Sequence, residues 1–454
     1  MLATLTMKEM NTKKLTTKSD SERTQQGNVF PAFALFGCFF TSLTSVILAG
    51  TQDTLAGTYK PSTTVLLAGV VPLLIVDVIA PYFVNRIPNL VLVFTASISV
   101  SVGLIILAYA DVEWKIAAVA LLAFGVAVGT ITIVSLTSYF EPSAVSAYSS
   151  GTGVGFLLGP LYYTALTTWF CVSPNTTLTI VSPLPLSYFV LYYFIIKNIR
   201  KKASDSDEEV VYTKIDDTDT EDVEDSEIKK ERKQETKDKC TRKTDDVFLS
   251  RKEKMLILAK LFSLTLVPGF IGFCSQYLLT QTVITTIAYK NAPFTPRDHY
   301  QYYFFIFALG EMIGRSHHLI LSKTRLLYTP TRLLLWLFSS TEMLILCFAI
   351  LESWYRFLPN VGILLFFVFF AGFTQGMVYV NMLGLLHLKF EGEEREFVMG
   401  YAVVPRGLGM FTAGLVGFFV EPLLLKHCIS LFKESTSCLT RSESLVSITS
   451  KCLT

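Results

Sequence analysis

Apolar residues dominate eleven long stretches of this chain, at positions 29–50, 63–84, 90–110, 116–138, 151–170, 176–196, 255–287, 300–322, 330–351, 358–386 and 398–420. Each is close to or above the ~20 residues a helix needs to cross the hydrocarbon core of a bilayer. A helix on the surface of a soluble protein keeps a polar face toward water. These stretches have too little polar surface for that, so the pattern predicts an all-α polytopic membrane protein of about eleven transmembrane helices. Between the sixth and seventh stretches, positions 197–254 alternate Asp, Glu, Lys and Arg with few large apolar residues. Such a segment cannot bury enough surface to fold alone.

The predicted organisation is a polar N-terminal tail (1–28), a six-helix bundle (29–196), a charged linker (197–254), a five-helix bundle (255–420) and a tail (421–454). Residues 421–432 are amphipathic and too short to span, which predicts an interfacial segment. Six spans, a tether and five more is the layout of a major-facilitator-like transporter, whose halves rock about a site near the midplane. Basic residues mark cytoplasmic loops. Lys13, Lys14, Lys18, Arg23, Arg86, the linker, Lys323 and Arg325 alternate correctly for a cytoplasmic N-terminus. Lys60, Lys115, Lys290, Arg297 and Arg356 are left for the opposite loops. The one glycosylation sequon, Asn175-Thr176-Thr177, then falls in a loop on the lumenal or extracellular side.

Nearly half of the charged residues lie in the linker, so the net charge of +2 says little about partners. No basic stripe points to nucleic acid. Membrane lipids and a small solute are the expected partners, with adaptor proteins at the linker. Tyr212-Thr213-Lys214-Ile215 there has the form of a tyrosine-based sorting signal, Tyr212 and Ile215 being its two anchors. The eight cysteines show no metal-ligand spacing. Cys38, Cys274 and Cys347 lie inside spans and read as small packing residues, whereas Cys428, Cys438 and Cys452 are open to acylation or disulfide formation. An enzyme is not expected. No span pairs the residues of an intramembrane hydrolase, His317-His318 has no further ligands, and no phosphate-binding loop precedes a Lys-Ser/Thr. No cofactor or metal is expected either.

Charge inside an apolar span costs ~2.5–3.5 kcal/mol per residue at a helix centre, and is kept where it is paired or lines a wet cavity. Asp77 in the second span, Glu311 and Arg315 in the eighth and Arg406 in the eleventh are therefore candidates for a solute or ion pathway. Glu311 and Arg315 share one helical face and can neutralise each other. Gln276, Tyr277 and Gln281 form a polar flank on the seventh span, and Gln375, Tyr379 and Asn381 share the tenth. These read either as pore-facing or as interhelical hydrogen-bonding groups. On the fifth span, Gly151, Gly153, Gly155, Gly159 and Pro160 supply close packing or a bending element between the halves.

Several pieces carry a family resemblance. Ser135-Leu136-Thr137 precedes Ser149-Ser150-Gly151-Thr152-Gly153, Gly310 precedes Arg315-Ser316, and Tyr379-Val380-Asn381 precedes Arg395-Glu396-Phe397. With Val65-Leu66-Leu67-Ala68, Pro72 and Ala80-Pro81, they resemble the battenin family over roughly residues 33–421. The resemblance implies a major-facilitator-related protein of lysosomal or vacuolar membranes. It also implies a part in organelle pH, basic amino-acid balance and removal of glycerophospholipid breakdown products. The family pattern places Lys at Asp77, Asp at Arg406, Glu at Thr130, Gln276 and Ala371, and an Asn pair at Phe40-Thr41. Exchange of both signs at 77 and 406 predicts an ion pair between the halves. The alternative is an Arg406 that faces the cavity and binds a phosphodiester or carboxylate. Two other readings compete with a battenin-type carrier. One is an equilibrative nucleoside-type transporter, which Glu311-Met312-Ile313-Gly314-Arg315 resembles, and the other is a membrane organiser that transports nothing.

Overall fold

The computed structural model describes residues 31–58, 60–83, 87–137, 142–195, 197, 251–322, 329–390, 394, 398, 401–432, 438 and 440. Among them there is no strand. The long helices are α1 (Pro31–Ala49), α2 (Thr63–Phe83), α3 (Asn89–Tyr109), α4 (Val112–Thr137), α5 (Pro142–Thr164) and α6 (Pro174–Ile195). Then come α7 (Met255–Thr286), α8 (Pro296–Ser322), α9 (Arg332–Tyr355), α10 (Val361–Lys389) and α11 (Val404–Phe432). Among the described residues eight of them are long and apolar enough to cross a membrane by length and composition alone; α2 is apolar over Thr63–Ile79, and α5 and α8 are not among the eight. Tyrosine, glutamine, histidine and charge dilute α8, while serine and glycine dilute α5.

Local chemistry sets several helix ends. Ser173 caps α6 ahead of Pro174, Thr331 accepts from the Leu334 amide at the start of α9, and Asn360 accepts from Gly362 at the start of α10. α9 stops where Arg356 turns left-handed (φ 51°). α7 is broken by two π turns, Phe262–Leu266 and Leu279–Val283. Along the outside, Ile75, Val78, Leu344, Leu351 and Phe366 are exposed. Lipid solvates such side chains, while the helices satisfy their own backbone groups.

The first bundle is held by the α3–α4, α2–α4 and α3–α6 contacts, and the second by α8–α10, α7–α11, α9–α10 and α7–α9. Among the described residues the bundles are joined mainly by α2 against α11 and α5 against α8. The ends of α6 and α7 that adjoin residues 198–250 define a linker end of the molecule, opposite to a far end.

The structure corrects four expectations. Residues 421–432 are no interfacial segment: α11 runs unbroken through Pro422 to Phe432, because Glu421 is buried and bonded to the start of α2 rather than exposed. Asn175 lies in the first turn of α6, not in a loop, because Ser173 and Pro174 start the helix before it. Cys347 is exposed, whereas Cys38 and Cys274 are buried. Gly151, Gly155 and Gly159 do not face the other bundle. A Cβ on them would meet the Ala34 carbonyl at 2.0 Å, the Cys38 carbonyl at 2.2 Å and the Ser45 hydroxyl at 2.0 Å, all on α1. Their spacing of one helical turn is a packing stripe within one bundle. Only Gly153 looks across, its missing Cβ 3.2 Å from Arg315 Cδ. Pro160 is buried within the continuous helix α5.

Candidate functional site

Two layers of polar residues bridge the bundles. The central layer is built on Arg315 of α8, which forms an ion pair with Glu311 one turn earlier. Arg315 also donates to the Thr152 hydroxyl on α5 (3.1 Å) and lies over the Tyr379 ring of α10, 4.1 Å from its centroid. Glu311 is fully buried, and its second oxygen accepts from Gln276 of α7 (3.3 Å). One guanidinium thus ties α5, α8 and α10 together, and its hydrogen bond to α5 crosses the seam. Planar guanidinium suits this, since it can bond in plane and stack face-on at once.

Asp77 and Arg406 occupy the same seam nearer the linker end. α2 and α11 pack closely there, with Gly407 set against Leu74, where a Cβ would come within 2.4 Å. The charge of Arg406 acts on Asp77, but among the described residues no ion pair joins them. Tyr277, Tyr379 and Glu311 are near enough to act on the Arg406 charge. Both Asp77 and Arg406 are half-buried. The arrangement therefore presents a guanidinium without a carboxylate partner, flanked by two tyrosines.

The far-end layer is a seal. Arg297 at the start of α8 donates through Nε to Asp53 Oδ1 (2.9 Å) and through Nη2 to Oδ2. Tyr163 of α5 adds a third hydrogen bond to Asp53 (2.9 Å). Beside it, Tyr300 donates to the Leu48 carbonyl (2.9 Å) and Gln301 to that of Ala49 (3.1 Å). The start of α2 is tied to α11, where Glu421 accepts from the Ser62 amide (2.8 Å) and hydroxyl (2.6 Å). Cys428 and Cys438 are disulfide-bonded at this end, and Thr440 bonds the Thr285 carbonyl (2.9 Å).

Of the residues proposed from sequence, Gln276, Tyr277, Glu311, Arg315, Tyr379 and Arg406 converge at the centre. Gln281 does not: it donates to Tyr300 (2.9 Å) and belongs with the seal. Asn381 bonds the Met377 carbonyl of its own helix (2.8 Å). Tyr212 and Ile215 lie outside the described residues. Asp53, Arg297, Glu421 and Glu342 were missed. The first three sit at the edges of apolar stretches, where a charge reads as a loop residue; Arg297 was counted as a loop cation yet is mostly buried. Glu342 did carry a signal, being an acid in the middle of the ninth stretch. Among the described residues no group of His, Cys, Asp and Glu is placed to hold a metal ion.

This architecture is shared with solved transporters of the major-facilitator type. The chain resembles a bacterial homologue of the human lysosomal transporter Spinster, in an inward-facing and unoccupied conformation (TM-score 0.57, 14% identity, covering 90% of this chain and 85% of that one). It also resembles the xylose transporter XylE from E. coli in a partially occluded, inward-open conformation (TM-score 0.56, 12% identity, 90% and 98% covered). At these identities the likeness concerns the fold: a polytopic, all-α membrane protein of two helical bundles. Residues 31–427 match the CLN3 protein family, and the chain belongs to it. Relatives include protein btn-1 of Neurospora crassa (27% identical over 418 residues, 87% of each chain) and battenin of Canis lupus familiaris (24% over 361 residues, 79% of this chain and 76% of that one). Protein BTN1 of Saccharomyces cerevisiae is 25% identical over 417 residues, 88% of this chain and 96% of that one.

Proposed function

We propose that this protein is a secondary transporter of a lysosomal or vacuolar membrane, working by alternating access between its two helical halves. Its solute is a basic amino acid or a glycerophospholipid breakdown product, and its export contributes to organelle pH homeostasis. The observation that carries this reading is the asymmetry of the seam. The far end is bonded shut through Asp53–Arg297 and Ser62–Glu421, while Asp77 and Arg406 nearer the linker end stay unpaired. Both candidate solutes bring an anionic group, a carboxylate or a phosphodiester, which a guanidinium binds in bidentate fashion. Arg406, flanked by Tyr277 and Tyr379, supplies it.

Chemistry at the far end supports a lumenal placement of it. Disulfides persist in oxidising compartments, and the Cys428–Cys438 bridge shares this end with the Asn175 sequon. A lumenal far end makes the linker cytoplasmic, where Tyr212 and Ile215 are open to sorting adaptors. The deciding experiment is uptake of radiolabelled lysine, arginine and glycerophosphocholine into proteoliposomes holding the full chain. Uptake of one of them, lost in Arg406→Gln, is expected. Movement of nucleosides alone would favour the nucleoside-type reading. No movement of any solute, together with loss of cellular function on deleting the linker, would favour an organiser.

A further inference from the structure

Glu342 lies midway along α9, fully buried, and among the described residues it makes no ion pair. One carboxylate oxygen, Oε2, accepts from the Thr374 hydroxyl of α10 (2.6 Å), and the other, Oε1, has no hydrogen-bond partner. Around it the polar groups are unsatisfied in the same way. Ser339, one turn before Glu342, has an unpartnered hydroxyl, and both ends of the Gln375 side chain, next to Thr374, are unpartnered. Ser339 and Gln375 are fully buried. They meet over Gly272 of α7, whose missing Cβ would lie 3.3 Å from Gln375 Oε1 and 3.5 Å from Ser339 Oγ. Three helices thus bring buried polar groups together with no cation among them.

A carboxylate anion buried without a cation carries the full desolvation penalty, and so do unpaired acceptors beside it. Adding one proton removes the charge and its penalty. An O–H bond forms at Oε1, and the carboxyl keeps its hydrogen bond from Thr374 at Oε2. Other titratable groups around this place are committed elsewhere. On α8, Glu311 and Arg315 pair with each other; on α11, Arg406 lies near Tyr277 of α7; Tyr379 of α10 lies under Arg315; and Cys274 of α7 is buried as a thiol. Glu311 is the charged group whose field reaches Glu342.

We propose that Glu342 is a proton-binding site at the contact of α7, α9 and α10, through which solute movement is coupled to a proton. The link to the seam is Glu311. With the proton in place, Glu311 is the only anion of the two and holds Arg315 against Thr152. When the proton leaves, the new negative charge opposes Glu311 and competes for Arg315, which loosens the α5–α8 bond. The coupling role rests on the transport reading above, whereas the proton site does not.

The test is infrared spectroscopy of the full-length protein in phosphatidylcholine vesicles, titrated from acidic to alkaline pH. The expected result is a carbonyl-stretch band of a protonated carboxyl at neutral pH, absent in Glu342→Gln and kept in Glu311→Gln. Glutamine matches the shape of a protonated carboxyl, so this variant is expected to elute as the wild type does. Should it not, Thr374→Val decides the matter, since losing the hydroxyl donor raises the frequency of the same band. A band that persists in Glu342→Gln or ignores Thr374→Val overturns the proposal. So does a band abolished by replacing potassium with sodium chloride, which makes the place a sodium site. The coupling is read from solute-driven proton entry into dye-loaded proteoliposomes, expected in wild type and lost in Glu342→Gln. Proton entry without the infrared band defeats the site and leaves transport standing; the band without solute movement does the reverse.

Discussion

Asp53, just past the end of α1, and Arg297, at the start of α8, stand 244 positions apart in sequence and form a two-pronged ion pair that closes one end of the seam. Neither lies within an apolar stretch, and the pair gathers in Tyr163 from a third helix. Removing one member leaves the other charge buried and uncompensated, a cost of ~3–5 kcal/mol. Asp53→Asn and Arg297→Gln are each expected to lower the thermal midpoint of the purified protein and to favour opening at the far end. Faster labelling of a cysteine at Tyr300 by an impermeant maleimide added from the far side, relative to Tyr300→Cys alone, measures the opening. Unchanged labelling would mean the pair is not the latch.

At the linker end, Asp77 and Arg406 are set on facing helices but not joined. An ion pair that forms when that end closes is the expectation that charge reversal tests. Asp77→Arg and Arg406→Asp are each expected to abolish uptake by proteoliposomes, and the double reversal to restore a substantial part of it. Equal failure of all three leaves Arg406 as a solute ligand instead.

The glycine stripe of α5 separates packing from function. Gly155→Ala drives a methyl into the Cys38 carbonyl, and overpacking of this kind costs ~1–3 kcal/mol. It is expected to reduce the yield of monodisperse protein. At Gly153 the neighbour is the flexible stem of Arg315, so Gly153→Ala is expected to fold normally and to alter uptake through the Arg315–Thr152 contact. Size-exclusion profiles beside uptake rates distinguish the two.

Glu421 offers a fourth check. Its carboxylate takes two hydrogen bonds from Ser62 across the seam, and hydrogen bonds to a charged group contribute ~1.5–3 kcal/mol. Glu421→Ala is expected to destabilise the protein by about that amount, read as a drop in its thermal midpoint. An interfacial segment with Glu421 in water would tolerate the change. The orientation has its own assay: after reduction, Cys428 and Cys438 are expected to react with an impermeant maleimide from the lumenal side alone.

The long apolar helices were readable in order because lipid imposes a simple rule on every helix that touches it. Their outer faces must be apolar, and runs of ~20 such residues are visible without knowing any neighbour. Seven of the nine pathway residues proposed from sequence, Asp77, Arg406, Gln276, Tyr277, Glu311, Arg315 and Tyr379, do lie at or beside the seam, since a polar group at membrane depth has few other places to be. Gln281 went to the seal and Asn381 to its own backbone. Glycines one turn apart announced close packing, but nothing in their spacing said that α1, and not the opposite bundle, would be the partner.

By itself, then, the chain determined its class, the places of its long apolar helices and the small set of residues too polar for lipid. Tertiary structure alone decided which of those residues meet. Asp53 finds Arg297, Glu421 finds Ser62, and Glu342 finds a hydroxyl but no cation, because two bundles that fold separately in sequence are pressed together in space. The physical reason is the range of the forces. Hydrophobic fit to lipid is set residue by residue along each helix, whereas a buried charge is stabilised only by partners that another helix brings to it.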